Sequence, residues 1–241
     1  MTPQEAPGVV HVLYAHVHDA PHLPWLCSPQ EHQRAAERAE TDGEAASLAT
    51  AGLLREAVAM LTGIPPGSAD IGHWCRVCRT VGDHGRPVAF GPSGLTMRGV
   101  YLSAARAGEI AAVAASSQAP VGLDIVKPKL HIEFDTSILT HAEASDLAAA
   151  DSLERSTVWN KAVMRKMAVG KATGFGGAIV PASLDTLGGV LRSWPPSIEE
   201  EVSGGVQLVD VKGLPEGYLG ALAYLGARRP IIVVSRTSNA V

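Results

Sequence analysis

Apolar residues in this chain of 241 residues recur at two spacings, one typical of strands and one typical of helices. Residues 8–18 alternate in part between apolar and polar side chains, which predicts a first strand. In segment 44–62, Leu54, Val58 and Leu61 fall on one face of a helix. Similar patterns predict helices over 28–38 and 152–173, and strands over 109–116, 121–126, 205–211, 217–225 and 230–235.

Short motifs mark where several of these helices begin and end. Ser28-Pro29-Gln30-Glu31 is a capping box with proline at the first helical position, and a second capping box at 140–143 opens a short helix. Gly63 and Gly174 are placed to end the two longest helices. Residues 64–100 are rich in Gly and Pro, so we expect loops with short strands there.

Strand, helices, strands is an order that occurs twice, with a seam near residue 120. This order is compatible with two structurally related lobes, 1–119 and 120–241. A hydrophobic content of 46% is enough for a core. Because two lobes from one chain can complete a cleft between them, we expect a monomer.

Composition narrows the classes of partner. A formal charge of −4 provides no general attraction to nucleic acid or anionic membranes. No apolar run approaches the ~18 residues that cross a bilayer, and the N-terminus lacks the pattern of a signal peptide. Three cysteines are an odd count that does not suggest a secreted disulfide framework. We therefore expect a cytoplasmic protein without a nucleic-acid or membrane partner.

Seven segments, in this order, resemble the surfactin-type 4′-phosphopantetheinyl transferases. They are LCSPQE at 26–31, LLR at 53–55, HGRP at 84–87, YLSAARAG at 101–108, VGLDI at 121–125, RKMAVGKATG at 165–174 and GYLGALA at 217–223. The resemblance covers residues 8 to 225. It implies the fold of that family, two pseudo-symmetric α+β lobes with coenzyme A in the cleft between them. It also implies an acyl or peptidyl carrier protein as the partner, whose serine receives phosphopantetheine with the help of Mg²⁺.

The resemblance implies three carboxylates as metal ligands, of which only one is present. Asp124 occupies the first position, whereas Val126 and Met167 stand at the other two. An alternative alignment on 159–161 places Ala162 at the helical position and also lacks the acid. Asp124 is thus the predicted metal ligand, and a lone carboxylate binds Mg²⁺ only weakly.

Candidate catalytic and cofactor-binding residues follow from the same motifs. The resemblance implies Asp124 and Lys171 as catalytic residues, and Arg86, Lys166 and Lys171 as ligands of the coenzyme A phosphates, with Arg106 in place of the missing histidine. The alternatives are a polar strand end for Asp124, a solvated helical lysine for Lys171 and an exposed turn residue for Arg106. Ser103 is retained from the family's Ser-His pair, but Ala104 replaces its histidine.

Three hypotheses about function are compatible with this site. The first is a non-standard or repurposed enzyme of polyketide or nonribosomal peptide metabolism, an antibiotic type of pathway, which acts on carrier-linked intermediates. The second is an active transferase with weak dependence on Mg²⁺. The third is a non-catalytic scaffold that binds carrier proteins.

Two further groups of polar residues lie apart from the motifs that carry the chemistry. The pattern H-x-C-x2-C-x5-H, formed by residues 73, 75, 78 and 84, has a spacing that allows a Zn²⁺ site, with plain thiols as the alternative. His131, Glu133 and Asp135 alternate after Asp124 and offer either an acid/base set on one strand face or a solvated edge.

Overall fold

The computed structural model describes residues 7–37, 43–128, 134–152 and 154–237. Its α-helices are α1 (Pro29–Glu37), α2 (Glu44–Thr62), α3 (His141–Ala149), α4 (Arg155–Thr173) and α5 (Glu199–Val202). Its strands are β1 (Val9–His16), β2 (Asp70–Cys75), β3 (Thr80–Gly82), β4 (Arg86–Phe90), β5 (Tyr101–Ala107), β6 (Ile110–Ser116), β7 (Val121–Val126), β8 (Val206–Asp210), β9 (Leu219–Leu225) and β10 (Ile231–Arg236). Short 3₁₀ turns cover Leu23–Leu26, Pro66–Ser68, Thr136–Ile138, Gly176–Ala178, Pro181–Ser183, Leu187–Gly189 and Pro196–Ile198.

The strands form three sheets. Sheet 1 has the order β10-β1-β6-β5, in which β10 is parallel to β1 and the other pairs are antiparallel. Sheet 2 is the small antiparallel β3-β2-β4, and sheet 3 is the antiparallel β7-β9-β8. The α+β class predicted from the sequence is therefore confirmed.

Each large sheet carries one long helix on its outer face. Helix α2 packs on β6, β1 and β5 of sheet 1, and α4 packs on β7 and β9 of sheet 3. The approach of α4 to β7 is close because Gly122 has no side chain, and a Cβ there would collide with the backbone of Ala168. The two inner faces pack against each other, with Val12 and Ala112 from sheet 1 and Leu123 from sheet 3 in one buried cluster.

The division of the chain at residue 120 separates β6 from β7, but it does not separate the sheets. The last strand, Ile231–Arg236, returns to sheet 1 and pairs with β1. The apolar core between sheets 1 and 3 also draws residues from both halves. Strand β10, at the C-terminal end, thus completes the sheet of the first half, and the division into 1–119 and 120–241 stays a prediction.

Local sequence signals predict the element ends well. In both capping boxes the reciprocal hydrogen bonds are present, between Ser28 and Glu31 and between Thr140 and Glu143. Gly63 takes the left-handed conformation (φ 74°) at the end of α2. Strand β5 was missed, because small Ala residues hide its alternation. His131 and Glu133 lie outside the described residues. Among the helices that the structure describes, none is both long enough and apolar enough to span a membrane.

Candidate functional site

A cleft of about 780 Å³ opens between the two halves of the chain. One wall consists of α1, α2, the turn before β4, and β5. The other wall contains Asp124 of β7, Lys171 of α4, and the glycine-rich segment 174–177 that follows α4. The junction where β5 lies beside β7 forms its base, so both halves of the sequence contribute to one concave site.

Asp124 and Lys171 meet at this base. Nζ of Lys171 lies 2.8 Å from Oδ1 of Asp124, and it also donates to the carbonyl oxygens of Leu123 (2.9 Å) and Ala104 (3.0 Å). The ammonium group therefore uses its three donors on three protein oxygens. A hydrogen bond from the backbone N–H of Leu123 to Oγ of Ser103 (2.9 Å) joins the same two strands. Lys171 thus holds α4, β5 and β7 together.

Burial raises the pKa of Asp124, although the positive charge and hydrogen bond of Lys171 act in the opposite direction. The loss of hydration destabilises the charged carboxylate more than the nearby ammonium group stabilises it. A carboxyl group with a raised pKa in a cleft accepts and returns protons more readily near neutral pH than an exposed one. Asp124 is therefore a candidate for acid/base chemistry at the base of this cleft.

Arg86 and Arg106 also line the cleft. Arg86 follows the turn at Gly85, and a Cβ on Gly174 would lie 3.6 Å from its Cδ, so its side chain passes the C-terminal end of α4. Burial and the positive charge of Arg76 lower the pKa of Arg86, which nevertheless stays charged. Arg106 is held by a 2.7 Å hydrogen bond from Nη1 to Oγ of Ser47.

Lys166 is not part of this cleft. It is 4% exposed, and its Nζ lies 2.6 Å from Oε2 of Glu143 in a buried ion pair. It also donates to the carbonyl oxygens of Pro181 and Leu184. Because these partners surround its ammonium group, the structure gives Lys166 the role of fastening α3 to α4. Its predicted role as a coenzyme A ligand is corrected accordingly.

Glu143, the partner of Lys166, also accepts hydrogen bonds from three other groups. They are the backbone N–H of Thr140 and both the N–H and the hydroxyl of Thr186. Burial opposes its ionisation, but the hydrogen bonds from Lys166 and these groups outweigh burial and lower the pKa of Glu143. The carboxylate is thus ionised at neutral pH and serves the fold rather than the cleft.

The residues at the base of the cleft do not fit Mg²⁺. Val126 and Met167 do not line the cleft, and Met167 is 43% exposed. The other acids of the cleft are committed elsewhere, Glu31 to an arginine at 2.8 Å and Asp83 to another at 3.2 Å. Asp124 already has an ammonium group at the position where a cation would bind. Among the described residues, no group of three carboxylates gathers around Asp124.

Sequence reasoning placed Asp124, Lys171, Arg86 and Arg106 in one site, and the structure brings these four to the same cleft. The sequence reasoning missed that Lys171 links β5 and β7, because a sequence does not show which backbone carbonyl groups will accept hydrogen bonds from a side chain. It also missed Ser47, which holds Arg106 and belongs to no motif.

No protein-family model matches the chain, and no curated protein is significantly similar to it. The resemblance to the phosphopantetheinyl transferases is therefore not tested by these comparisons.

Proposed function

We propose that this chain is a 4′-phosphopantetheinyl transferase-like enzyme with altered, magnesium-independent chemistry. It binds coenzyme A, or the phosphopantetheine arm of an acyl or peptidyl carrier protein, in the cleft. The observation that carries the proposal is the Asp124–Lys171 pair at the base of a 780 Å³ cleft with arginines on the facing wall. The motifs that resemble the family supply the choice of ligand.

The charges of the cleft support an anionic ligand. In the part of the chain that the structure describes, Arg86 makes no ion pair, although it is largely withdrawn from water. A partly desolvated cation without an anion is unfavourable, and a phosphate group would relieve it. Arg106 lines the same cleft and presents a second guanidinium group. Both groups favour bidentate contacts with phosphate oxygens.

The size of the cleft supports an extended ligand. A volume of about 780 Å³ lies in the upper part of the range of roughly 300–1,000 Å³ that is usual for cofactor sites. Arg86 and the glycines of segment 174–177 come from opposite halves of the chain, so a ligand in the cleft contacts both. Such a ligand adds contacts across the same junction that Lys171 holds.

Asp124 supplies the acid/base chemistry of the proposed enzyme. With its raised pKa, it can take a proton from a hydroxyl or thiol group of a carrier-linked intermediate and return it to the product. Lys171 stabilises the ionised carboxylate before the proton is taken and after it has been returned. The arginines bind and orient the phosphate, so that no metal ion is required to hold the ligand.

Direct transfer of phosphopantetheine is the second candidate, and the raised pKa of Asp124 favours it too. In this reaction Asp124 accepts the proton of the carrier serine, and the serine oxygen forms a bond to the β-phosphorus. The bond from that phosphorus to the bridging oxygen breaks, and 3′,5′-ADP leaves. The arginines would then have to stabilise the charge that a metal ion usually neutralises.

Binding of coenzyme A to Arg86→Ala tests the ligand by titration calorimetry. Loss of a charge-assisted contact worth about 1.5–3 kcal/mol should weaken binding by about 10- to 100-fold. Arg229→Ala is the matched control, because Arg229 is exposed and does not line the cleft. Coenzyme A that fails to bind, or binds both variants equally, contradicts the proposal.

Incubation with apo carrier protein and coenzyme A, with and without Mg²⁺, separates the chemistries by intact mass. No mass gain, together with turnover of a carrier-linked intermediate that Asp124→Asn abolishes, supports the altered enzyme. A carrier that gains phosphopantetheine establishes the transferase. A carrier that binds tightly but is never changed indicates the scaffold.

A further inference from the structure

We propose that Cys75, Cys78 and His84 bind a transition-metal ion of the Zn²⁺ type at the rim of the cleft. The ligating atoms of the three residues lie within 4.8 Å of one another, and Sγ of Cys78 is 3.3 Å from Nε2 of His84. Zinc bonds of ~2.3 Å to sulfur and ~2.0–2.1 Å to nitrogen at tetrahedral angles place such atoms about 3.5 Å apart. The three groups therefore need only a small movement to coordinate one ion.

The hairpin between β2 and β3 brings the two sulfur atoms together. Cys75 ends β2 and pairs with Thr80, so that residues 76–79 form the turn. The backbone N–H of Cys78 points at Sγ of Cys75 (3.4 Å). The backbone N–H of Arg79 donates to the carbonyl oxygen of Cys75 (2.8 Å). Arg79 completes this tight turn with a left-handed φ of 55°. An N–H directed at sulfur stabilises the thiolate, which is the form that binds metal.

A glycine brings the third ligand to the same place. Gly85 has a φ of 107°, and any Cβ at this position would collide with the carbonyl of Trp74, next to Cys75. The turn that carries His84 therefore passes directly over the end of β2. The backbone of sheet 2 therefore brings His84 close to the cysteines at the end of β2.

The chemistry of the three ligands selects the metal. Two thiolates and an imidazole suit Zn²⁺ and disfavour Mg²⁺, which prefers oxygen. Binding releases the two thiol protons and leaves the Zn²⁺–dithiolate unit neutral. Cys78 and His84 are exposed, so a fourth position is open to water. Three protein ligands with one open position is an arrangement typical of catalytic rather than structural zinc.

The site adjoins the cleft but shares no ligand with Asp124. Cys75 and His84 both line the cleft, and Arg86 lies two residues beyond His84. A bound ion would therefore order the turn that presents Arg86 to a ligand. The metal site does not depend on the proposed function, because its three ligands and its assay are separate from coenzyme A binding.

Cobalt substitution tests the site in the full-length protein. The chelator-treated chain, kept reduced, is titrated with Co²⁺, and thiolate-to-cobalt charge transfer is measured in the near ultraviolet. We expect one ion per chain. Cys78→Ser and His84→Ala alter exposed side chains, so both variants should fold. Each loses a direct metal ligand, so its affinity for Co²⁺ should fall by a factor above about 100. That loss exceeds the 10- to 100-fold that removal of an outer-shell partner costs.

Cys27→Ser is the matched control, because the Cys27 thiol donates to the carbonyls of Leu23 and Leu48, away from the hairpin. It should bind Co²⁺ as the wild type does. A missing charge-transfer band, a band unchanged in Cys78→Ser and His84→Ala, or an equal loss in Cys27→Ser would overturn the site. So would a Cys75–Cys78 disulfide that persists under reductant.

Added 2-mercaptoethanol tests the open position. As a third thiolate it should raise the charge-transfer intensity of the cobalt protein, because one more sulfur ligand then donates to the metal. An unchanged spectrum at saturating thiol would show that the fourth position is closed by the protein.

Discussion

Replacement of Lys171 by methionine is expected to weaken the junction between sheet 1 and sheet 3. Methionine keeps much of the apolar stem but removes the ammonium group, whose partners are Asp124 and the carbonyl oxygens of Ala104 and Leu123. Two of these partners belong to β7 and one to β5, so one substitution removes contacts on both sides of the junction. The variant also leaves the Asp124 carboxylate without its cation.

The expected loss follows from the exposure of the pair. Removal of one partner of a fully buried ion pair costs about 3–5 kcal/mol. Here the side chains of Lys171 and Asp124 retain 29% and 20% of their exposure, so water replaces part of the lost interaction. We therefore expect the free energy of unfolding to fall by about 2–3 kcal/mol. For a chain of this size, that lowers the melting temperature by about 5–10 °C.

The loss should depend on pH in a defined direction. Burial raises the pKa of Asp124, and removal of Lys171 raises it further because the lowering influence of the ammonium disappears. The folded variant therefore holds a proton that the unfolded chain releases, and its stability falls as pH rises. The difference between wild type and Lys171→Met should narrow as pH falls from neutral toward the raised pKa of Asp124, because the folded-state carboxyl group then becomes neutral in both proteins.

Urea denaturation at several pH values measures this effect. Lys161→Met is the matched control, since Lys161 is 44% exposed, pairs with Asp210 at 3.3 Å, and should lose less than about 0.5 kcal/mol. The double variant Asp124→Asn/Lys171→Met should recover part of the loss, because no buried charge remains. A Lys171→Met variant as stable as Lys161→Met, or a difference that widens as pH falls, would refute the reasoning.

Three other substitutions or reactions test separate parts of the structure. Glu143→Gln should lower the free energy of unfolding by about 3–5 kcal/mol, because the Lys166 ammonium stays buried without its anion. Hydrogen bonds lower the pKa of Glu143, so this loss should persist at neutral pH. In urea titrations it should shrink only below about pH 4, where the carboxyl group becomes protonated in the unfolded chain. Burial and the nearby negative charge of Glu31 raise the pKa of Cys27 to about 11, so mass spectrometry should find it unalkylated by iodoacetamide near pH 8 in the folded protein and alkylated in urea. Gly122→Ala should destabilise by about 3 kcal/mol or more through collision with the backbone of α4, whereas Gly67→Ala, with open space around it, should be neutral in the same thermal melts.

Most helices and strands could be predicted because local chemistry sets their ends. The predicted helix over 44–62 matches Glu44–Thr62, where a run of apolar residues stops at a left-handed glycine. Strand β7 was predicted with the bounds observed, since a short apolar run stands between proline and lysine. Strand β5 was missed because Ala and Ser do not reveal which face of a strand is buried.

The sequence identified some residues of the candidate site and misassigned another. The motifs around Asp124 and Arg86 led to residues that do line the cleft. Lys166, five residues before Lys171, belongs to the same motif, but the helix turns it toward Glu143 and away from the cleft. The sequence does not show which group a lysine will pair with, because the partner lies on another element.

By itself, the sequence determined the kinds of elements, the ends of several helices and the α+β class, since these depend on neighbours within a few positions along the chain. Its motifs also pointed to four charged residues of the cleft, Arg86, Arg106, Asp124 and Lys171. Only the tertiary structure decided that β10 returns to sheet 1, that Lys171 serves as a clamp between β5 and β7, and that two cysteines meet a histidine over the end of β2. These features depend on groups that are far apart in the chain. Packing of the two sheets brings them within bonding distance, and packing rather than local propensity selects which polar groups become partners.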